Sequence, residues 1–360
     1  MWTLGVEIEL IAPRGLTRRD LATAIAAREG GEVEPCFHLD SEPSKVPGKP
    51  IFHNLGPAFR VMGPRGWLAR VTDDLTLQDD LDRQARPLPG WYRIVSDDAR
   101  LLRLVDHNVD PRAPLEHVLD PIAALFGTEV EAAPGGLRRV ADSTGLAVAL
   151  AAPLPGERER PAELVTSPMG SDRAARLDRM LSCARALGFT APAEGATHLH
   201  LDARPLHDAA AVQRLVHLVS GMEPGLRRLL RTNPRCRRLG PWPDALRATV
   251  DGPGFAALPW EEARTRLASL GLSKYVDLNL KNLVHPLPDK HTIEWRILPV
   301  HLEPEPVLDA AALLTALVER ALEPQAIPLN PGPHDLRRWL DRLPLAPAAR
   351  RRLLDGAAPV

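Results

Sequence analysis

Four segments alternate apolar and polar residues with a period of two. Residues 3–11 set Leu4, Val6, Ile8 and Leu10 against Glu7 and Glu9; 197–202 set Leu199 and Leu201 against His198, His200 and Asp202. Residues 292–298 oppose Ile293, Trp295 and Ile297 to Glu294 and Arg296, and 275–281 oppose Val276, Leu278 and Leu280 to Asp277, Asn279 and Lys281. That period places i and i+2 on one face of a strand, so it predicts four strands, each showing paired polar groups on one side. Apolar residues spaced three and four apart predict helices over 17–29, 172–187, 208–219, 261–270 and 305–322, with Thr17 and Gly188 as boundaries of the first two. The stretch 333–355 reads as two short Arg-rich helices. Proline clusters make loops of 42–50, 86–91 and 153–161. No repeat of solenoid or propeller length is visible.

A half-exposed antiparallel strand ordinarily turns polar residues to water, and for Glu7 and Glu9 alone that reading stays open. The kinds of residue on the polar faces shift it. Strand surfaces favour Thr, Tyr and Val, whereas these carry Glu, His, Asn and Arg. Like carboxylates side by side repel unless a cation or a shared proton relieves them. The helices 172–187, 208–219 and 305–322 can cover the apolar face, which leaves the polar face as a cavity wall.

Composition narrows the class. The 360 residues are 44% hydrophobic and 25% charged with a net charge of −1, which fits a globular chain with a large core and gives no bulk electrostatic reason to bind nucleic acid or anionic membrane. Only five of the 45 basic residues are lysines. Cys36, Cys183 and Cys236 have neither disulfide-framework nor zinc spacing, which predicts a cytoplasmic setting. No signal peptide or membrane span is expected.

Carboxylates and imidazoles converging on one sheet face suit hard divalent cations, and an arginine among them suits a phosphate. Those are the parts needed for phosphoryl transfer from ATP. The chain has no GxxxxGK[ST], no strand-linked GxGxxG and no G-x-S-x-G, so P-loop, Rossmann and serine-hydrolase chemistries fall away.

The ordered motifs GVEIEL (5–10), ADS (141–143) with AELVTSP (162–168), GATHLHLDA (195–203), LLRTNPRCRRL (229–239), SKYVDLNLKNL (273–283) and TIEWRILPVHLEP (292–304) resemble the amidoligases, carboxylate-amine ligases related to glutamine synthetase and glutamate-cysteine ligase. The resemblance implies an α+β fold whose largely antiparallel sheet forms a half-open funnel backed by helices. It also implies an ATP- and magnesium- (or manganese-) dependent ligase that joins a small-molecule or peptide carboxylate to an amine or ammonia through an acyl phosphate. By that resemblance Glu7, Glu9, Glu163, Glu294 and His198 look like metal ligands, His200 like a contact to the ATP phosphates, and Arg296 like the stabiliser of the transferred phosphoryl group. Asn279 and Asp142 look like substrate or second-layer residues, a turn role being equally open for Asp142. Arg231 or Arg235 could hold a carboxylate or phosphate, and Arg237 and Arg238 read better as a solvated helix end. A phosphotransferase on the same fold and a non-catalytic nucleotide- or peptide-binding scaffold are the rival readings.

About 110 residues separate the first predicted helix from the Asp-x-Ser segment, more than the family pattern leads one to expect. The resulting division is a catalytic domain of 1–30 plus 136–330, an inserted subdomain of 31–135 and a C-terminal helical segment of 331–360. The insertion carries TDDLTL (72–77), WYRIVSDDARLLRLV (91–105) and a helix-like 113–126, so it should be folded, and it could shape the acceptor site or recruit a protein substrate. The pairs Asp73–Asp74 and Asp97–Asp98 could bind a cation or an amine, and read better as turn or cap residues; His38, His53, His107 and His117 show no ligand spacing.

Overall fold

The computed structural model describes residues 2–46, 49–286, 290–324 and 336–357, with residues 42–46 and 49–51 described by backbone alone. The chain begins with β1 (Leu4–Ile11), α1 (Arg18–Glu29), β2 (Glu32–Val46), β3 (Lys49–Gly63), β4 (Gly66–Thr72) and β5 (Tyr92–Ser96). It continues through α2 (Ala99–Asn108), α3 (Asp120–Leu125), β6 (Glu131–Ala133), β7 (Leu137–Ala141), β8 (Ala147–Pro153), β9 (Pro161–Thr166) and α4 (Arg173–Ala186). Then follow β10 (Ala196–Asp202), α5 (Ala209–Leu229), α6 (Asp244–Val250), α7 (Trp260–Ala268), β11 (Leu278–Asn279), α8 (Lys281–Val284) and β12 (Thr292–Pro299). The last elements are α9 (Pro304–Leu322), α10 (Leu336–Leu340) and α11 (Pro347–Ala357). Among the described residues no helix is long and apolar enough to cross a membrane.

Two compact units divide the chain: one comprises Met1–Ile8, Pro168–Ser182 and Ala193–Val360, the other Glu9–Ser167 and Cys183–Pro192. Both are α+β, built on open antiparallel sheets with helices against them. In the first unit the strands run in the order β11-β12-β10-β1, each antiparallel to the next. Leu4, Val6, Ile8, Leu199, Leu201, Ile293, Trp295 and Ile297 are buried, as period-two alternation requires. Helix α9 packs on β10 and β12, and α5 packs on α9, with Val307, Leu313, Leu314 and Leu317 fully enclosed. A bidentate pair from Arg352 to Asp309 (2.5 and 2.7 Å) ties α11 to α9.

In the second unit the order is β9-β4-β3-β5-β8-β7-β6, with β2 paired to β3. Helix α1 lies on β3 and β4, and its start is fixed by Thr17, whose hydroxyl and backbone exchange hydrogen bonds with Asp20 in a capping box. Residues 31–135 supply this unit with β2–β6, α2 and α3. Phe37, Leu55, Tyr92, Ile94, Leu102, Ile122, Val140 and Val148 form its packed core.

Three local expectations give way. The proline-rich stretch 42–50, expected as a loop, ends a long hairpin instead, with Pro43 opposite Ile51 and Val46 opposite Lys49; residues 47 and 48 lie outside the described residues. Among the described residues β2 pairs with β3 alone, and a strand with an unpaired edge accepts prolines there without losing ladder hydrogen bonds. The helix expected over 113–126 begins only at Asp120, because Pro121 fits the first turn and would clash with the preceding carbonyls further in. The helix expected over 208–219 runs on to Leu229, its buried stripe extended by Met222, Leu226 and Leu229. Of the two short helices expected in 333–355, α10 and α11 are present, and 333–335 lie outside the described residues.

Candidate active site

The polar faces of β1, β10 and β12 meet within the first unit. Register pairs Glu7 with His198, Gly5 with His200, and His200 with Glu294. Alternation along each strand turns all four polar side chains to one side. Gly5 leaves the room this needs: a Cβ there would come within 3.2 Å of the His200 Cβ. A β-bulge shifts the β10–β12 register between Thr197 and Leu199, and bulges re-aim side chains. Opposite His198, β12 therefore carries both Arg296 and Ile297.

The side chains form one continuous network. Glu7 sets one oxygen 3.0 Å from His200 Nε2 and the other 3.3 Å from His198 Nδ1. The same His198 nitrogen lies 3.4 Å from Glu294 Oε1, which also accepts a hydrogen bond from Arg296 Nη1 at 2.5 Å. The second Glu294 oxygen accepts from Asn279 Nδ2 at 2.7 Å. His198, His200, Asn279, Glu294 and Arg296 are all buried. Burial pushes the Glu7 carboxyl upward, but His200, Lys290 and the imidazole hydrogen bonds outweigh it and hold the group well below its ordinary range. Burial also opposes ionisation of Glu294, and Arg296 with the two histidines overcomes it, so that carboxyl is lowered too. The His198 imidazole is pushed down to about 4 by burial first and by Arg296 second. It is therefore neutral at pH 7 and has a lone pair to offer.

Asn279 reaches this network through a distorted strand. The expected strand 275–281 is paired only at Leu278 and Asn279. The Asn279 side-chain oxygen accepts from the Lys281 N–H at 2.8 Å, a local turn that competes with the sheet ladder, and α8 follows at once. Asp277 faces α5, where Arg227 grips both of its oxygens at 2.8 and 2.7 Å.

The remaining candidates lie as follows. Glu9 is buried near the end of β1, and Glu163 is half-buried on β9 opposite Thr72; both belong to the second unit. Arg231 caps α5 in the left-handed conformation (φ 50°) and donates to the Gly356 carbonyl at 2.7 Å, which joins α5 to α11. Arg235 is exposed. Asp142 makes the β7–β8 turn, its side chain accepting from Thr144 and Leu146. Asp98 caps α2, Asp74 closes a turn on Thr76, and Asp73 is buried between Arg18 and Arg158.

Two contributors escaped the sequence reading. Lys290 places its ammonium 3.3 Å from Glu7, and Thr292 meets His200 Nδ1 at 3.2 Å. A signal for Lys290 existed, since lysine is rare in this arginine-rich chain.

One ligand atom from each of Glu7, His200 and Glu294 lies within 4.8 Å of the other two. Two ionised carboxylates and one imidazole suit Mg2+ or Mn2+, so the donor set fits such an ion.

A family model described as "Putative amidoligase enzyme" matches residues 1–252. The match holds β1 and β10 and ends before Asn279, Glu294 and Arg296. Neither a curated protein nor a solved structure matches the chain.

Proposed function

This chain belongs to the amidoligase family, and from that premise we propose that it is an ATP- and magnesium-dependent ligase that forms an amide between a carboxylate and an amine or ammonia. The observation that carries the reading is the Glu7–His198–His200–Glu294–Arg296 network on one sheet face, buried except at half-buried Glu7. It combines a cation-binding donor set with a guanidinium at the same place, which phosphoryl transfer needs and a purely structural ion pair does not. Open antiparallel sheets with helices against them support the further proposal of a glutamine synthetase-like fold. Glu9 and Glu163 are proposed as further cation ligands, and residues 31–135 as the part that selects the acceptor.

A free carboxylate is a poor electrophile and repels the γ-phosphate it must attack. Glu7, His200 and Glu294 would hold the divalent cation, which when bound neutralises phosphate charge. Arg296 offers a planar fork to the equatorial oxygens of the phosphoryl group in flight. Glu294 fixes that fork by accepting from Nη1, and Asn279 fixes Glu294 in turn. The acceptor carboxylate takes the phosphoryl group, and the amine nitrogen displaces phosphate from the resulting acyl phosphate. Neutral His198 between two carboxylates can hold a proton at Nδ1 without adding charge.

Incubation of the full chain with ATP, Mg2+ and pooled metabolites or peptides, read by mass spectrometry, tests the proposal. A product equal in mass to acid plus amine less water supports it. A stable phosphorylated product would make the protein a phosphotransferase, and nucleotide binding without ADP release under any acceptor would leave a binding scaffold.

A further inference from the structure

The Nε2 atoms of His207 and His291 face each other at 3.1 Å. His207 follows the end of β10, and His291 immediately precedes β12. The His207 ring and the His291 backbone are held. The His207 imidazole stacks on the Trp260 indole, with centroids 5.1 Å apart and planes at 12°, while the His291 carbonyl accepts the Ala203 N–H at 3.1 Å. Beside them the Asp202 carboxylate is bound by the Arg204 guanidinium. His207 is exposed and His291 half-buried, so an ion can enter from solvent.

We propose that His207 and His291 form a second metal site, specific for a borderline divalent transition ion such as Zn2+, Ni2+ or Cu2+ and completed by water. Metal–imidazole bonds of about 2.0–2.1 Å put two ligand nitrogens about 2.9 Å apart in a square arrangement and about 3.4 Å apart in a tetrahedral one. The observed separation lies between these values. In the metal-free chain one ring donates its Nε2 proton to the other; the ion replaces that proton, and both rings then carry their hydrogen on Nδ1. Two imidazoles without a carboxylate ligand disfavour Mg2+, so this site and the Glu7–Glu294 network select different ions. They are neighbours along the same strands: Asp202 pairs with Thr292, and His200 pairs with Glu294 two residues further on. With only two protein ligands, the ion exchanges readily.

Trp260 supplies the probe, because Cu2+ on His207 quenches the indole stacked against it. Chelator-treated full-length protein is titrated with Cu2+, and tryptophan emission is followed in the parent, Trp260→Phe, His207→Gln and His291→Gln. The parent should lose an increment of emission that Trp260→Phe does not possess. Each histidine variant should need at least about tenfold more Cu2+ for that increment, since loss of even an outer-layer partner costs roughly 10–100-fold in affinity. Calorimetry with Zn2+ should count one ion fewer per chain in both histidine variants. Equal midpoints and equal stoichiometry in the parent and both variants would overturn the site. If the histidine variants fail to fold, parent against Trp260→Phe still decides, and absence of any Trp260-dependent quenching is the overturning result.

Discussion

Glu294 is gripped from two sides, by Asn279 on one oxygen and by Arg296 on the other. From the sequence, a cluster of carboxylates suggests that removing one charge would relieve repulsion. The contacts say otherwise for this member, since its charge is already matched by a buried guanidinium. Glu294→Gln should therefore destabilise the protein, by about 3–5 kcal/mol as for a broken buried pair, as well as abolish turnover. Urea unfolding of the variant checks this, and an unchanged midpoint would mean that Arg296 finds another partner. Gly5→Val addresses the same network sterically. A side chain there meets the His200 Cβ, so ATP-dependent activity should fall roughly tenfold or more with the apolar faces still packed, judged by initial rates beside a thermal melt.

Strand β12 is proposed to serve the reaction with one face and the core with the other. Arg296→Lys keeps a charge and loses the fork, so turnover should drop roughly 10²-fold, by analogy with removal of a transition-state donor. Ile297→Ala truncates a fully buried side chain and should cost about 2–5 kcal/mol of stability, with the folded fraction near normal in rate. Reversal of the two outcomes, seen in paired melts and rates, would exchange the assigned faces. The faces of β1, β10 and β12 were legible because Leu4 to Ile8, Leu199 to Leu201 and Ile293 to Ile297 alternate without interruption. Where a side chain bonds its own backbone, alternation misleads: Asn279 turns the chain at Lys281 and cuts the expected strand to two residues. The hairpin of β2 and β3 was hidden by prolines that an unpaired edge tolerates. The bulge that sets Arg296 beside His198 leaves no mark in the sequence, because register belongs to the partner strand as much as to β12.

For the whole molecule, the charge network ties stability to pH. His198 is held at about 4 in the folded chain, first by burial, against roughly 6.5 for a free imidazole. Between these values the unfolded chain takes up a proton that the folded chain refuses. Stability from this group is thus complete above about pH 6.5 and is lost as pH falls towards 4, by about 3 kcal/mol at 1.36 kcal/mol per pKa unit. Unfolding free energies measured across that range should show the slope, and His198→Gln should flatten it. The division into two compact units could not be read from composition, since contacts between segments distant in sequence define both.

The buried polar face of β1, β10 and β12 is proposed to activate a carboxylate by phosphorylation. Hydroxylamine intercepts acyl phosphates as hydroxamates, so the decisive measurement is hydroxamate formation from a pool of carboxylates with ATP and Mg2+, in the parent and in Arg296→Lys. A hydroxamate that requires both ATP and Mg2+ should form in the parent and fall roughly 10²-fold in the variant. Hydroxamate formed at equal rates by the two proteins, or ATP turned over with none formed from any carboxylate, would contradict it.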